Sequence, residues 1–199
     1  MDFNAIIKRV ISIITKPKDE WEVIKNESMT IGDMYTKYAI FLAAIPAIAG
    51  FIGNALIGRS VLGISYRMPI PSSLVWAIMF YALSLVGIFV AGFVIDALAT
   101  TFGSQKDMVS SMKAAVFANT PVWVAGVLYI IPALSVLVGL VGLYSLYLLY
   151  LGIKIVKNPP ADKTMGYFIV VLIVDIVVFA LVGFITTAIA FGSGAGYLR

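Results

Sequence analysis

Apolar residues run almost unbroken through five stretches of this chain, approximately Tyr35–Ile57, Ser73–Ala99, Lys113–Ile131, Ala133–Val156 and Gly166–Phe191. Each is close to the roughly 20 residues a helix needs to cross about 30 Å of hydrocarbon. Only Ile131-Pro132 divides the third from the fourth. A single helix from Lys113 to Val156 would reach about 65 Å at 1.5 Å per residue, twice a bilayer, so a tight helical hairpin is the better reading. Nothing in the pattern alternates apolar and polar residues over segments of about ten, as a membrane barrel requires. The chain therefore reads as all-α, an integral membrane bundle of five transmembrane helices.

A different pattern precedes these stretches. On a helical wheel Phe3, Ile6, Ile7, Val10, Ile11, Ile13 and Ile14 share one arc, and Asn4, Lys8, Arg9, Ser12 and Thr15 fill the other. Such a division describes an amphipathic helix lying in the membrane interface. The alternative is a helix packed on the cytoplasmic end of the bundle. Pro17 then starts a second helix, with Asp19 and Glu20 in its first turn. Trp21 is expected at headgroup depth, half buried with its N–H wet. Lys8, Arg9 and Trp21 are thus the candidate membrane-surface contacts, and Gly32-Asp33 is expected to break the chain before the first span. Residues 1–33 read as a cytoplasmic amphipathic, interfacial segment and residues 34–199 as the five-helix transmembrane domain.

Composition sharpens the class. Hydrophobic residues make up 61% and charged residues 12% of the chain, against about 45–50% and about 25% in soluble domains. No short charged leader with a small-residue cleavage site is seen, so a cleaved signal peptide is not expected. Cysteine and histidine are both absent, which excludes disulfides, thiol chemistry and histidine-based acid–base or metal sites. The net charge of +4 is unevenly placed. Lys8, Arg9, Lys16, Lys18, Lys25 and Lys37 lie at or before the start of the first span, Lys106 and Lys113 beside the second-to-third loop, and Lys154, Lys157 and Lys163 beside the fourth-to-fifth. Only Arg59, Arg67 and Arg199 fall on the other side. By the positive-inside rule the N-terminus is cytoplasmic and the C-terminus outside, in what reads as a prokaryotic cell membrane.

Few polar groups lie within the spans. Asp175, inside Val171-Leu172-Ile173-Val174-Asp175-Ile176-Val177-Val178, is the sharpest. A carboxylate near mid-bilayer costs at least about 2.5–3.5 kcal/mol on insertion scales, so it must face protein or water. It serves either as an ion, proton or substrate contact or as an interhelical hydrogen-bond partner. Topology puts Asp96, Lys113 and Lys154 at one level, as a polar cluster at the cytoplasmic mouth or as separate snorkelling lysines and an exposed aspartate. Asn54, Asn119 and Thr120 read as helix–helix hydrogen-bond partners. Ala39, Ala43 and Ala47 form a small-residue strip for close helix approach. Tyr144, Tyr147 and Tyr150, three apart, suit packing better than a ligand stripe. There is no GxxxxGK[ST] loop, no nucleophile–base pair and no metal-ligand spacing, so no cofactor, metal or enzymatic activity is expected. The basic N-terminal helix suits anionic lipid and not nucleic acid.

Several segments carry a resemblance. Pro17…Trp21-Glu22-Val23-Ile24…Glu27, Ala118-Asn119-Thr120-Pro121, and Leu143-Tyr144-Ser145-Leu146-Tyr147-Leu148-Leu149-Tyr150-Leu151-Gly152-Ile153-Lys154 are similar to the prokaryotic branch of the Yip family, the Ypt/Rab-interacting membrane proteins. The resemblance implies a five-helix bundle. In eukaryotic members it implies trafficking roles through small GTPases and membrane shaping. The long cytoplasmic N-terminal region of that branch is not expected here. Asp33-Met34-Tyr35-Thr36-Lys37 only partly matches its Asp-Leu-Tyr-Gly-Pro signature, so a GTPase partner is not expected. The expected function is a membrane-organising or scaffold factor acting through helix packing, self-association or other membrane proteins. The alternative is a small solute or ion transporter or channel using Asp175 and the cytoplasmic cluster.

Overall fold

A computed structural model describes residues 3–61 and 64–192. Two short helices, α1 (Phe3–Thr15) and α2 (Pro17–Asn26), precede α3 (Ile31–Ile57), α4 (Ile70–Leu98), α5 (Met108–Ile130), α6 (Pro132–Lys157) and α7 (Ala161–Gly192). The last five are each long and apolar enough to cross a membrane. A short antiparallel ribbon, β1 (Arg59–Val61) paired with β2 (Ile64–Tyr66), joins α3 to α4. Arg199, counted above among the three basic residues of the far side, lies outside the described residues.

Local chemistry explains the boundaries. Thr30 caps α3 by accepting from the Asp33 amide while the Asp33 carboxylate accepts from the Thr30 amide, a reciprocal capping box. Gly32-Asp33 therefore starts the first span instead of breaking the chain before it. Asp107 caps α5 by accepting from the Val109 amide at 3.0 Å, so this span begins five residues earlier than its apolar run. Between α5 and α6 the backbone of Ile131 turns extended (φ −107°, ψ 100°) and 3-10 turns flank it. The two helices fold back on each other as the expected hairpin. Asn158 takes a left-handed conformation (φ 45°), and Pro159-Pro160 ends α6.

Burial runs against hydropathy. α5, whose polar and small residues make it the least apolar span, is the hub of the bundle, and every residue from Ser111 to Ala118 is buried. α3, α4 and α6 all pack on it. α7, the most apolar span, is the most exposed and packs chiefly on α4. Lipid offers no hydrophobic force between helices, so close packing of small residues decides which helix lies inside. Ala39, Ala43 and Ala47 are buried accordingly, and Gly92 on α4 closes on Met112 of α5.

α1 and α2 belong to this bundle. Ile6, Ile13, Trp21 and Ile24 share one apolar core with Met34, Tyr38, Phe117, Leu148 and Ile153. The N-terminal segment thus packs on the bundle, and only part of its apolar arc is left for a membrane surface.

Candidate functional site at the basic end

The end of the bundle carrying α1 and α2 gathers most of the paired charges. The first group fastens the N-terminal helices. Arg9 meets Glu20 at 2.5 Å and also pairs with Glu27, its guanidinium 5.6 Å from the centre of the Phe117 ring. Arg9 is therefore spent within the protein and is not a membrane contact; its helical position faces the acids of α2 and not outward. Lys113 donates to the carbonyls of Glu27 (2.7 Å) and Lys25 (3.2 Å), and the Tyr144 hydroxyl donates to the Ile14 carbonyl (2.7 Å). Helices leave their last carbonyls unpaired, so residues of α5 and α6 satisfy the C-terminal ends of both α2 and α1.

Trp21 departs further from expectation. Its side chain is 0% exposed, its ring presses on Gly152, and its buried indole N–H has no partner among the described residues. The amphipathic face of α2 turns the indole into the bundle, which removes it from headgroup depth. Lys8 stays exposed on α1.

The second group ties the ends of α4 and α6 to the loop leading into α5. The Asp96 carboxylate accepts from the Asp107 amide (2.7 Å) and the Ser111 hydroxyl (3.2 Å), and Lys157 stands 3.6 Å away. Lys157 also donates to the carbonyls of Gln105 (2.8 Å) and Asp107 (3.2 Å), while Ser104 donates to the Lys157 carbonyl (2.5 Å). Burial works against the Asp107 carboxylate, but hydrogen bonds from Ser110 and Val109 and the charge of Lys157 outweigh it and hold it below the usual range. The expected Asp96–Lys113–Lys154 cluster does not form. Lys113 is drawn to the end of α2 and Lys154 is exposed; Lys157, three residues on, faces Asp96 instead.

Within α5, Pro121 has no N–H to give the Phe117 carbonyl, and the Thr120 hydroxyl donates to it instead (2.8 Å). Thr120 also meets the Tyr38 hydroxyl at 2.8 Å, and Asn119 donates to the Ala115 carbonyl at 2.8 Å. These groups repair a helix break of a kind that spans tolerate only with such help. Among the tyrosines of α6, Tyr144 holds α1 and Tyr150 stands edge-on to Phe168.

Asp175 lies on the face of α7 that meets α4. One turn before it Val171 is buried, and one turn after it Val178 abuts Gly87. Its Oδ1 is buried and has no hydrogen-bond partner among the described residues. Among the described residues no group of three or more carboxylates could hold a metal ion.

Among the described residues, five apolar helices, a capped N-terminal pair and ion pairs gathered at helix ends define a multi-pass α-helical membrane protein. The Yip1 domain matches residues 11–184, and the chain belongs to that family. It is similar to the protein named inner membrane protein YohC in Escherichia coli K12, with 31% identity over 140 residues, 67% of this chain and 70% of the relative. The YohC of Escherichia coli O6:H1 matches to the same extent. No solved structure matches.

Proposed function

We propose that this protein is a non-enzymatic membrane-organising factor in which the α1–α2 pair acts as a wedge in the cytoplasmic leaflet. One observation carries the reading: the apolar arc of α1 is divided. Ile6 and Ile13 enter the bundle, while Phe3, Ile7 and Ile11, on the adjoining part of the arc, are 74%, 41% and 55% exposed. A helix with one apolar flank fixed to a transmembrane bundle and the next uncovered adds cross-section to one leaflet and none to the other. The basic N-terminal segment supports a cytoplasmic location for this wedge. Contact with anionic lipid, self-association and binding of other membrane proteins through the broad apolar face of α7 belong to the same reading.

Reconstitution into liposomes tests it. The wild type is expected to shift vesicles toward smaller or tubular forms, and Phe3→Ser/Ile7→Ser/Ile11→Ser, which spares the buried flank, is expected to abolish the shift while inserting normally. Identical vesicle shapes with the wild type, the variant and no protein would refute the wedge.

A solute or ion path is the second reading, favoured by the unpartnered Asp175 Oδ1. Flux in proteoliposomes that disappears in Asp175→Asn but survives in Asp96→Asn would support it. Absence of flux for every ion and solute tried would remove it.

A further inference from the structure

The turn joining α1 to α2 is pressed against a transmembrane helix. The Tyr144 hydroxyl fastens the Ile14 carbonyl, and three residues along α6 Tyr147 stands 40% exposed, its ring 5.8 Å from that of Tyr144. Between Tyr147 and the turn lies a cavity of about 370 Å³ lined by Thr15, Lys16, Pro17, Lys18, Asp19 and Tyr147. We propose that this cavity is a binding site for the headgroup of a monoanionic phospholipid, with Lys16 and Lys18 holding the phosphate and Tyr147 flanking the glycerol and upper acyl chain.

Position comes first. α6 spans 26 residues, about 39 Å of helix, or about 9 Å more than the hydrocarbon. Tyr147 is ten residues before the basic end at Lys157, about 15 Å. With the overhang on that side, it lies within about 6 Å of the hydrocarbon edge. Lysine stems at this depth run along apolar surface and carry their ammonium groups to the headgroups.

Charge comes second. Arg9 is committed to Glu20 and Glu27, Lys37 to Asp33, and Lys157 to Asp96, whereas among the described residues Lys16 and Lys18 are exposed and in no ion pair. Lys16 and Lys18 against Asp19 leave the lining one positive charge in excess, the complement of a headgroup with one net negative charge. A zwitterionic headgroup gains less, because it leaves that charge unmatched. The inference rests on the wedge reading's placement of α1–α2 at the membrane and gives its anionic-lipid contact a site, and its test reads lipid selectivity and not vesicle shape.

Full-length protein in detergent is mixed with equal amounts of phosphatidylglycerol and phosphatidylcholine, and bound lipids are counted by native mass spectrometry. One phosphatidylglycerol is expected to be retained preferentially, by roughly fivefold for each lysine engaged. Lys16→Gln/Lys18→Gln should bring the ratio near one, Lys16→Arg/Lys18→Arg should keep it, and Lys25→Gln/Lys106→Gln, which removes equal charge from other exposed positions, should leave it unchanged. Equal loss in the last variant, or no wild-type preference, overturns the site. So does displacement of the lipid by inorganic phosphate alone, which would make the cavity a site for the free anion. An unchanged melting temperature in each variant keeps folding out of the comparison.

Discussion

Lys157 stands 3.6 Å from Asp96, and the same ammonium bonds the carbonyls of Gln105 and Asp107, so one side chain joins the ends of α4 and α6 to the loop leading into α5. Its side chain is almost wholly buried. Lys157→Met should therefore lower stability by about 2–3 kcal/mol, because it takes the cation from beside the Asp96 carboxylate and the donor from the Gln105 carbonyl together. Asp96→Asn should cost less, since an amide oxygen still accepts from the Asp107 N–H and the Ser111 hydroxyl. Thermal denaturation in detergent compares them. Equal losses would assign the stabilisation to the ion pair alone and contradict the carbonyl contribution.

The spans approach one another at glycines, with unequal tolerance. A Cβ on Gly53 would fall 2.1 Å from the Tyr129 carbonyl oxygen, which is backbone and cannot swing aside. On Gly92 it would fall 2.1 Å from the Met112 sulfur, the movable end of a flexible chain. On Gly142 it would meet nothing within 4 Å. Gly53→Ala is expected to cost about 2–3 kcal/mol through overpacking, Gly92→Ala less, and Gly142→Ala nothing or a gain of up to about 1 kcal/mol in helix propensity. Denaturation of the three single variants should follow that order. A Gly142→Ala protein weaker than Gly53→Ala would show that α3 and α5 do not touch as described.

How legible this was depended on the range of the interaction. Runs of apolar residues revealed the five spans and the α5–α6 hairpin, because length and a single proline decide them. The caps were missed: Asp107 ahead of α5 and the Thr30–Asp33 box at the start of α3 are sequence signals, but the apolar run starts at Lys113 and Gly32-Asp33 reads as a break. Partner choice was not legible. Asp96 pairs with Lys157 and not with Lys154, since three residues rotate a helical side chain by most of a turn and only the packed register fixes which lysine faces inward. Trp21 and Arg9 failed for one reason. An amphipathic face cannot tell lipid from another helix, and the small Gly152 that admits the indole lies 131 positions away. Asp175 was conspicuous as a lone charge in an apolar run, but its missing partner is a fact of packing.

Acid should loosen the loop into α5. The carboxyl of Asp107 is held below its ordinary value of 3.8, so the folded state favours its charged form. The stability it contributes is then fully present above about pH 4 and lost as pH falls through the depressed folded value. Melting temperature should not change on this account between pH 7 and pH 5 and should drop below about pH 4. Asp107→Asn, which still caps the helix but cannot attract Lys157, should begin lower and fall less steeply there. Parallel curves for the two proteins would show that the charge of Asp107 contributes nothing.

The strongest test of the transmembrane interior is Asp175. A buried carboxylate oxygen with no donor carries a desolvation cost that no contact among the described residues offsets. Val171 and Val178 flank it on the same face, so a valine there continues an apolar surface against α4. Asp175→Val should therefore raise stability, by about 1–3 kcal/mol, without changing insertion or the packing of α7. Asp175→Asn should fall between the two, since it removes the charge but leaves a polar group to satisfy. Denaturation in detergent at matched protein concentration gives the ranking, and crosslinking gives the oligomeric state. If valine destabilises the protein or disperses an oligomer, the carboxylate is held by a donor from outside this chain, and its isolation belongs to the monomer alone.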